Sequence, residues 1–141
     1  MSKKQLRIIL DTNVLYSGLY SSRGASYRVL REIEAGTIVT VISITLLFEY
    51  EDILMRNKTV LGLADGEIEG LLDYLCLQSE HQKVYFLWRP VVPDSKDDHL
   101  LELAVASNTE TIVTHNTKDF KGAREFGVRT ITPKELLEEM P

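Results

Sequence analysis

Short runs of β-branched and other apolar residues alternate with segments that repeat apolar residues at helical spacing. The short runs are typical of buried strands, and the longer segments are typical of amphipathic helices. The predicted strands are residues 6–10, 37–43, 84–88, 111–114 and 129–131. The predicted helices are residues 25–35, 45–56, 65–80, 97–107 and 133–139. This alternation predicts an α/β fold in which helices cover both faces of a central parallel sheet.

Length and composition are those of one globular domain. The chain has 141 residues, of which 44% are hydrophobic and 26% charged, so we expect a single domain over residues 1–141. Cys76 is the only cysteine, which excludes a disulfide framework and a cysteine-based zinc site. No apolar run approaches the roughly 18 residues of a membrane span, and the first residues do not resemble a signal peptide. We therefore expect a cytoplasmic protein.

The charge of the chain is unevenly distributed. The net charge is −5, and an acidic chain is less often a nucleic-acid binder than a basic one. Residues 1–31, however, hold six basic residues and one acid, a net charge of +5, which leaves −10 for residues 32–141. Because the position of the charges matters more than their sum, the acidity does not exclude a nucleic acid as ligand.

The first predicted strand ends in an acid. Asp11 follows the apolar run at 6–10, and the polar residues Thr12 and Asn13 come next, as in a turn. In parallel sheets, functional sites form beyond the carboxyl ends of the strands, where Asp11 would lie. An aspartate that caps a helix or a turn has the same pattern, so this feature alone does not decide the function.

The predicted helix at 97–107 carries an acid at the head of its apolar face. With about 100° between successive residues, Leu100, Leu101 and Ala104 fall in an arc centred near Asp97. Asp98, His99 and Glu102 fall on the opposite side. A buried carboxylate is costly unless it is paired or bound to a metal. A favourable interaction with the helix dipole is the alternative, and it suits Asp98 better than Asp97.

Two more groups of polar residues follow predicted strands. Glu49 and Glu51 lie at opposite edges of the apolar stripe of the helix at 45–56, and periodicity does not choose between them. The strand at 111–114 runs into a polar stretch that includes Asn116 and Asp119. Carboxylates that meet at one edge repel each other unless a cation binds them. Oxygen ligands without cysteines or paired histidines favour Mg²⁺ or Mn²⁺, ions that often serve phosphate chemistry.

These motifs together resemble the PIN domain family. They are Asp11-Thr12-Asn13, the run 43–49 that ends in Glu49, the run 97–104 that begins with Asp97, and the run 112–120. The resemblance covers nearly the whole chain and is closest to VapC-like toxins of toxin–antitoxin pairs. It implies a three-layer α/β/α sandwich and metal-dependent cleavage of single-stranded RNA. It further implies a homodimer and a cognate antitoxin protein as partner.

The resemblance also implies a set of site residues. Asp11, Glu49 and Asp97 would be the catalytic residues that hold Mg²⁺ or Mn²⁺, which selects Glu49 over Glu51. Some relatives place a fourth acid where this chain has Asn116, and others place it three residues later, at Asp119 here. This chain fits the second pattern, with Asp119 as the fourth ligand. The side chains expected to support the site are Asn13, Thr114 and Asn116.

Basic residues follow the first and fourth predicted strands, which would be neighbours in such a sheet. They could therefore flank one cleft and contact RNA phosphates. These residues are Arg23, Arg28, Lys118, Lys121 and Arg124. Tyr16, Leu19 and Tyr20 could pack in a dimer interface or stack on a base, and the sequence leaves both roles open. His81 and His99 have no partner at the spacing of metal ligands, so neither is predicted to take part.

Three other functions compete with this interpretation. A phosphatase of the haloacid dehalogenase type also begins with a strand and an aspartate, but it needs a second aspartate where this chain has Asn13. A PIN nuclease could act in RNA processing or decay instead of as a toxin. A catalytically inactive PIN-like binding module is the non-enzymatic alternative, and Asn116 is the residue that favours it.

Overall fold

The computed structural model describes residues 5–84, 98–120 and 122–140. Within these ranges, five strands form one parallel sheet. The strands are β1 (Leu6–Leu10), β2 (Ile38–Ile42), β3 (Glu80–His81), β4 (Thr111–Val113) and β5 (Arg129–Ile131). Their order across the sheet is β3-β2-β1-β4-β5. The register places Ile8 beside Thr40 of β2 and Leu10 beside Val113 of β4, so β1 lies at the centre of the sheet.

Helices flank this sheet in an α/β/α arrangement, as predicted. Seven α-helices lie in the described ranges. They are α1 (Thr12–Tyr20), α2 (Ala25–Ala35), α3 (Ile44–Arg56), α4 (Lys58–Leu61), α5 (Asp65–Gln78), α6 (Asp98–Ser107) and α7 (Pro133–Glu139). Two short 3₁₀ helices follow β4, at Thr117–Phe120 and Ala123–Phe126. None of the helices described is long and apolar enough to cross a membrane.

The core lies between the sheet and the helices that cover it. Ile8, Ile9 and Leu10 of β1 are fully buried, because a central parallel strand has helices on both faces and must be apolar on both. Tyr50 of α3 and Leu101 of α6 are buried against this core as well. The fully buried end of the central strand therefore leads directly to Asp11.

Two local contacts orient the helices next to β1. Ser43 caps α3, since its Oγ accepts a hydrogen bond from the Leu46 N–H at 3.1 Å, and this fixes where α3 begins. Gly18 of α1 packs closely on α2: a Cβ at this position would lie 2.5 Å from the side chain of Leu30. Glycine therefore permits the close approach of α1 and α2.

The predicted elements agree with the structure except near β1 and β3 and at the short helix α4, which was not predicted. Residues 6–10, 25–35, 129–131 and 133–139 have the predicted bounds, and the other helices and strands of the sheet differ by one or two residues at an end. The polar turn predicted after Asp11 is wrong, because α1 begins at Thr12. The first residues of α1 are polar, so the helix was not predicted, although Val14, Leu15 and Gly18 form a buried face at helical spacing.

The strand predicted at 84–88 lies almost entirely outside the described residues. Val84 belongs to no strand, and residues 85–88 lie outside the described part of the chain. The third strand of the sheet is formed by Glu80 and His81, which pair with Val41 and Ile42. Both side chains of β3 are exposed, so this strand has no apolar pattern from which it could be predicted.

Candidate active site

Asp11 lies at the carboxyl end of the central strand and is held from β4. Its main-chain N–H donates to the carbonyl oxygen of Val113 at 2.9 Å, and its Oδ2 accepts a hydrogen bond from Thr114 Oγ1 at 2.7 Å. The residue is only 7% exposed. It precedes α1, yet its side chain makes no capping hydrogen bond to this helix. A cap of α1 therefore does not account for the aspartate, whose carboxylate is held by Thr114 and by the main chain of Thr12.

The loop after β4 and the start of α1 form a hydrogen-bond network around Asp11. Asn13 Nδ2 donates to Thr114 Oγ1 at 3.4 Å, and the Asn116 N–H donates to the same oxygen at 3.0 Å. The His115 N–H donates to Asn13 Oδ1 at 3.3 Å. The structure thus brings Asn13, Thr114 and the main chain of Asn116 together beside Asp11, and Thr114 is the centre of the network.

Helix α3 approaches Asp11 from the other side, through Tyr50. The Tyr50 hydroxyl donates to the carbonyl oxygen of Leu10 at 2.5 Å, and the side chain is fully buried. This bond ties α3 to the end of β1. Glu49, the residue before Tyr50, is close enough for its charge to raise the pKa of Asp11. Glu51 is exposed and lines a different cavity, with Glu69 and Asp73.

The pKa values at this edge show the effect of burial and of accumulated negative charge. Burial raises the pKa of Asp11, and the charge of Glu49 raises it further. The hydrogen bonds from Thr114 and from the Thr12 main chain, and the nearby His99, lower it, but the net shift is upward. Burial, with the charges of Asp11 and Glu49, raises the pKa of Tyr50 well above 10. Tyr50 therefore stays protonated and keeps its hydrogen bond.

His99 of α6 lies next to Glu49, a contact that the sequence analysis missed. Its Nε2 is 2.9 Å from Glu49 Oε2, and the side chain is 16% exposed. The two atoms are close but not aligned for a hydrogen bond. Among the described residues, Glu49 Oε2 and His99 Nδ1 are both buried without a hydrogen-bond partner.

The helical projection of residues 97–107 was wrong about this face of α6. It placed His99 and Glu102 on the outer side, but Glu102 is buried and His99 is largely so. The reason is that α3 packs against α6, so α6 has partners beyond the sheet. A helix covered on two sides has two buried faces, and the apolar stripe marks only one of them.

Of the other two acids predicted for the site, only Asp119 lies in the described residues, and it is not joined to this pair. Asp97 lies outside the described residues. Asp119 is partly exposed in the 3₁₀ helix after β4, where its N–H donates to the carbonyl oxygen of Asn116 at 3.0 Å. Over residues 5–84, 98–120 and 122–140, no three His, Cys, Asp or Glu side chains lie close enough together to hold a metal ion. The described part of the site therefore contributes the pair Asp11 and Glu49.

Four of the five predicted basic residues are described, and they lie in the two segments that meet where α2 contacts the loop after β4. Ser26 Oγ lies 3.0 Å from His115 Nε2, within hydrogen-bond distance. Arg23 and Arg28 flank Ser26 in sequence, while Lys118 and Arg124 follow His115. All four arginine and lysine side chains are exposed, and Lys121 lies outside the described residues. Strands β1 and β4 are neighbours, as the prediction of a shared cleft requires.

Comparisons with known proteins place this geometry in a family. In structure, the chain is similar to one chain in the crystal structure of VapBC2 from Rickettsia felis, which was determined with VapBC2 bound to a DNA fragment from its promoter. The TM-score of this match is 0.60. The two chains are 18% identical, and the match covers 90% of this chain and 98% of the other. Sequence comparison with curated proteins gave no match. The family model of the PIN domain matches residues 7–118, which is most of the chain, and the protein therefore belongs to the PIN domain family.

Proposed function

We propose that this protein is a metal-dependent endoribonuclease that hydrolyses phosphodiester bonds of single-stranded RNA. PIN domains are typically nucleases. The observation that carries the proposal is Asp11, a buried carboxylate at the end of the central strand that caps no helix and lies within range of the charge of Glu49. A buried carboxylate whose pKa is raised by burial and by a second acid is a candidate functional group.

The residues present fit a divalent cation. Glu49 Oε2 is buried without a hydrogen-bond donor among the described residues, and the charges of Asp11 and Glu49 oppose each other. A cation with oxygen ligands would offset this repulsion, and carboxylates favour Mg²⁺ or Mn²⁺. We propose that Asp97 and Asp119 complete the ligand set. When bound, the ion would lower the pKa of a coordinated water and offset negative charge on the phosphate.

The remaining residues hold these carboxylates and the substrate. Thr114 fixes the orientation of Asp11 through Oδ2, and Asn13 and Asn116 hold Thr114 in turn. His99 is a positioning residue for Glu49. Basic side chains on both sides of the cleft bind backbone phosphates of the RNA. These are Arg23, Arg28, Lys118, Lys121 and Arg124. Cleavage leaves a 5′-phosphate and a 3′-hydroxyl.

Cleavage of a panel of defined single-stranded RNAs tests this function. With Mg²⁺ or Mn²⁺ we expect the wild-type protein to cleave, and we expect Asp11→Asn to lower the rate by at least about 100-fold, as for loss of a group that stabilises charge in the transition state. EDTA should abolish the activity. Cleavage that survives both Asp11→Asn and EDTA would contradict the proposal.

We further propose that the protein is the toxin of a toxin–antitoxin pair, acting in the cytoplasm as a homodimer. The similarity of its fold to a chain of the VapBC2 complex supports this assignment. Expression should then arrest growth, and Asp97→Asn should relieve the arrest. A small DNA-binding protein encoded beside this one would be its antitoxin. Normal growth combined with RNA cleavage in vitro would instead favour a nuclease of RNA processing or decay.

A further inference from the structure

We infer that a cavity between α1 and the loop after β4 is a nucleobase subsite, in which Tyr16 and Tyr20 of α1 stack on a base of the RNA. The cavity has a volume of about 360 Å³ and lies between α1, the start of α2, the loop after β4 and the start of α7. The inference rests on the proposed function, since it assigns a role to the substrate next to the cleaved bond. It concerns binding, so it can be tested apart from catalysis.

The two tyrosines form an aromatic surface on one side of the cavity. Their ring centroids are 5.9 Å apart and their planes differ by 20°, as expected for residues four apart on one helix face. Tyr20 is 63% exposed, so it contributes little to the core. Bases stack on exposed aromatic rings with little dependence on sequence, because every base has a π-face.

The cavity is linked to the proposed catalytic edge through helix α1 and through His115. Tyr16 and Tyr20 follow Asn13 on the same helix face, at spacings of three and seven residues, so this face runs for roughly 10 Å from the site. His115 lines the cavity and is hydrogen-bonded through its N–H to Asn13. A nucleotide adjacent to the phosphate at Asp11 would therefore reach the tyrosines.

Charge favours a nucleic acid in this cavity over the cavity between α3 and α5. Among the described residues that line it are Lys134 and His115, and none of them is a carboxylate. The cavity between α3 and α5, by contrast, is lined by Glu51, Glu69 and Asp73. The acidic cavity between α3 and α5 would repel an anionic RNA strand, whereas the cavity at Tyr16 and Tyr20 would attract it.

The subsite also explains why the substrate is single-stranded. In a duplex the bases are paired and stacked on each other, and a protein ring cannot reach their faces. A base that leaves the strand can enter the cavity beside Tyr16 and Tyr20. Stacking holds the strand next to Asp11 without a duplex partner.

Steady-state cleavage of a labelled single-stranded oligoribonucleotide with Mn²⁺ tests the role of the rings. We expect Tyr20→Leu to raise KM about tenfold and to leave kcat within about twofold, because stacking contributes to binding before and during the reaction. Tyr20→Phe keeps the ring and should behave as wild type. Tyr74→Leu, on α5, removes a half-buried tyrosine that lies elsewhere and should leave KM unchanged.

An abasic scan measured by fluorescence anisotropy in EDTA locates the base and needs no catalysis. One position of the oligoribonucleotide should lose about tenfold in affinity when its base is removed, and Tyr20→Leu should abolish this sensitivity. An unchanged KM in Tyr20→Leu, or equal abasic sensitivity in both proteins, overturns the inference even if cleavage depends on Asp11. If the wild type loses affinity at one abasic position but does not cleave RNA, the result contradicts the proposed function and supports the subsite.

Discussion

The two sides of Asp11 differ in how completely their polar groups are bonded. On the β4 side, Thr114 donates to Asp11 and accepts from Asn13 and Asn116. On the α3 and α6 side, Glu49 and His99 lie 2.9 Å apart but leave buried Oε2 and Nδ1 atoms without a hydrogen-bond partner in the described ranges. One side is complete as a protein structure, and the other has atoms left for a ligand. On the proposed function, the first set of groups positions Asp11 and the second is the one that a cation would meet.

The largest expected effect is a loss of cleavage activity when Glu49, on the α3 and α6 side, is changed. Glu49→Gln should lower RNA cleavage by about 100-fold, since it removes a charged ligand while keeping the size of the side chain. Glu51→Gln is the matched control, because it makes the same change two residues later on an exposed face, and its rate should stay within about twofold. Equal losses in both variants, measured at saturating Mn²⁺, would show that α3 does not supply the ligand.

A change at Thr114, on the β4 side, should cause a smaller loss of activity, and this loss should depend on pH. Thr114→Val removes a hydrogen bond that lowers the pKa of Asp11, so this pKa should rise further. If the ionised form of Asp11 is required, activity in Thr114→Val should fall away at a higher pH than in the wild type, with about a tenfold loss on the acidic side. Thr114→Ser keeps the hydroxyl and should restore the wild-type profile. Superimposable pH profiles for the valine and wild-type proteins would contradict this role.

Tyr50→Phe tests the hydrogen bond that connects α3 to the end of β1. The change deletes the hydrogen bond to Leu10 and leaves that carbonyl oxygen buried without its donor, so the free energy of unfolding should fall by about 1–2 kcal/mol. Urea denaturation measures this loss. Leu54→Ala in the same helix should destabilise the protein by at least as much through lost packing, by about 2–5 kcal/mol, without acting on β1 directly. A Tyr50→Phe protein as stable as the wild type would show that the bond is not needed.

The smallest effect is on stability in the absence of metal. Because the folded state raises the pKa of Asp11, the wild type gains stability as the pH falls and loses it as the pH rises through the raised pKa. Asp11→Asn carries no such charge and should be the more stable protein at pH 7 in EDTA. The difference should shrink at pH values below 3.8, the ordinary pKa of the residue.

Added Mn²⁺ should reverse the order of these two proteins. At about 100 times its Kd, a bound ion adds about 2.7 kcal/mol to the wild type and less to a variant that has lost a ligand. Thermal unfolding of both proteins with and without Mn²⁺ measures the reversal. A wild type that remains the less stable protein at saturating Mn²⁺ would argue against Asp11 as a ligand.

Much of the fold could be predicted because buried parallel strands have a strong sequence pattern. Residues Ile8, Ile9 and Leu10 are apolar on both faces, as expected for a strand at the centre of the sheet. Helix α1 could not be predicted in the same way, because its first residues are polar and serve the site. Strand β3 could not either, since its two exposed residues are held only by pairing with β2.

A site residue could be predicted where the sequence pattern that marks it lies within a single strand or helix. Asp11 stands out because it ends the most apolar run, and Glu49 was selected through a family resemblance and not through periodicity. The contact between His99 and Glu49 depends on how α3 packs against α6, and no pattern within one helix records the packing of two. The roles of Asp97 and Asp119 in metal binding stay predictions.

Both edges of the described sheet are short, and this restricts how copies of the protein could associate. Strand β3 has two residues and β5 has three. A charge pair lies at each edge: Arg7 with Glu80 at 2.7 Å near one, and Arg129 with Glu139 at 2.7 Å near the other. Short edges with charged side chains disfavour the addition of a strand from another molecule. A homodimer of this protein would therefore form through its helical faces, and the sheet would end within each subunit.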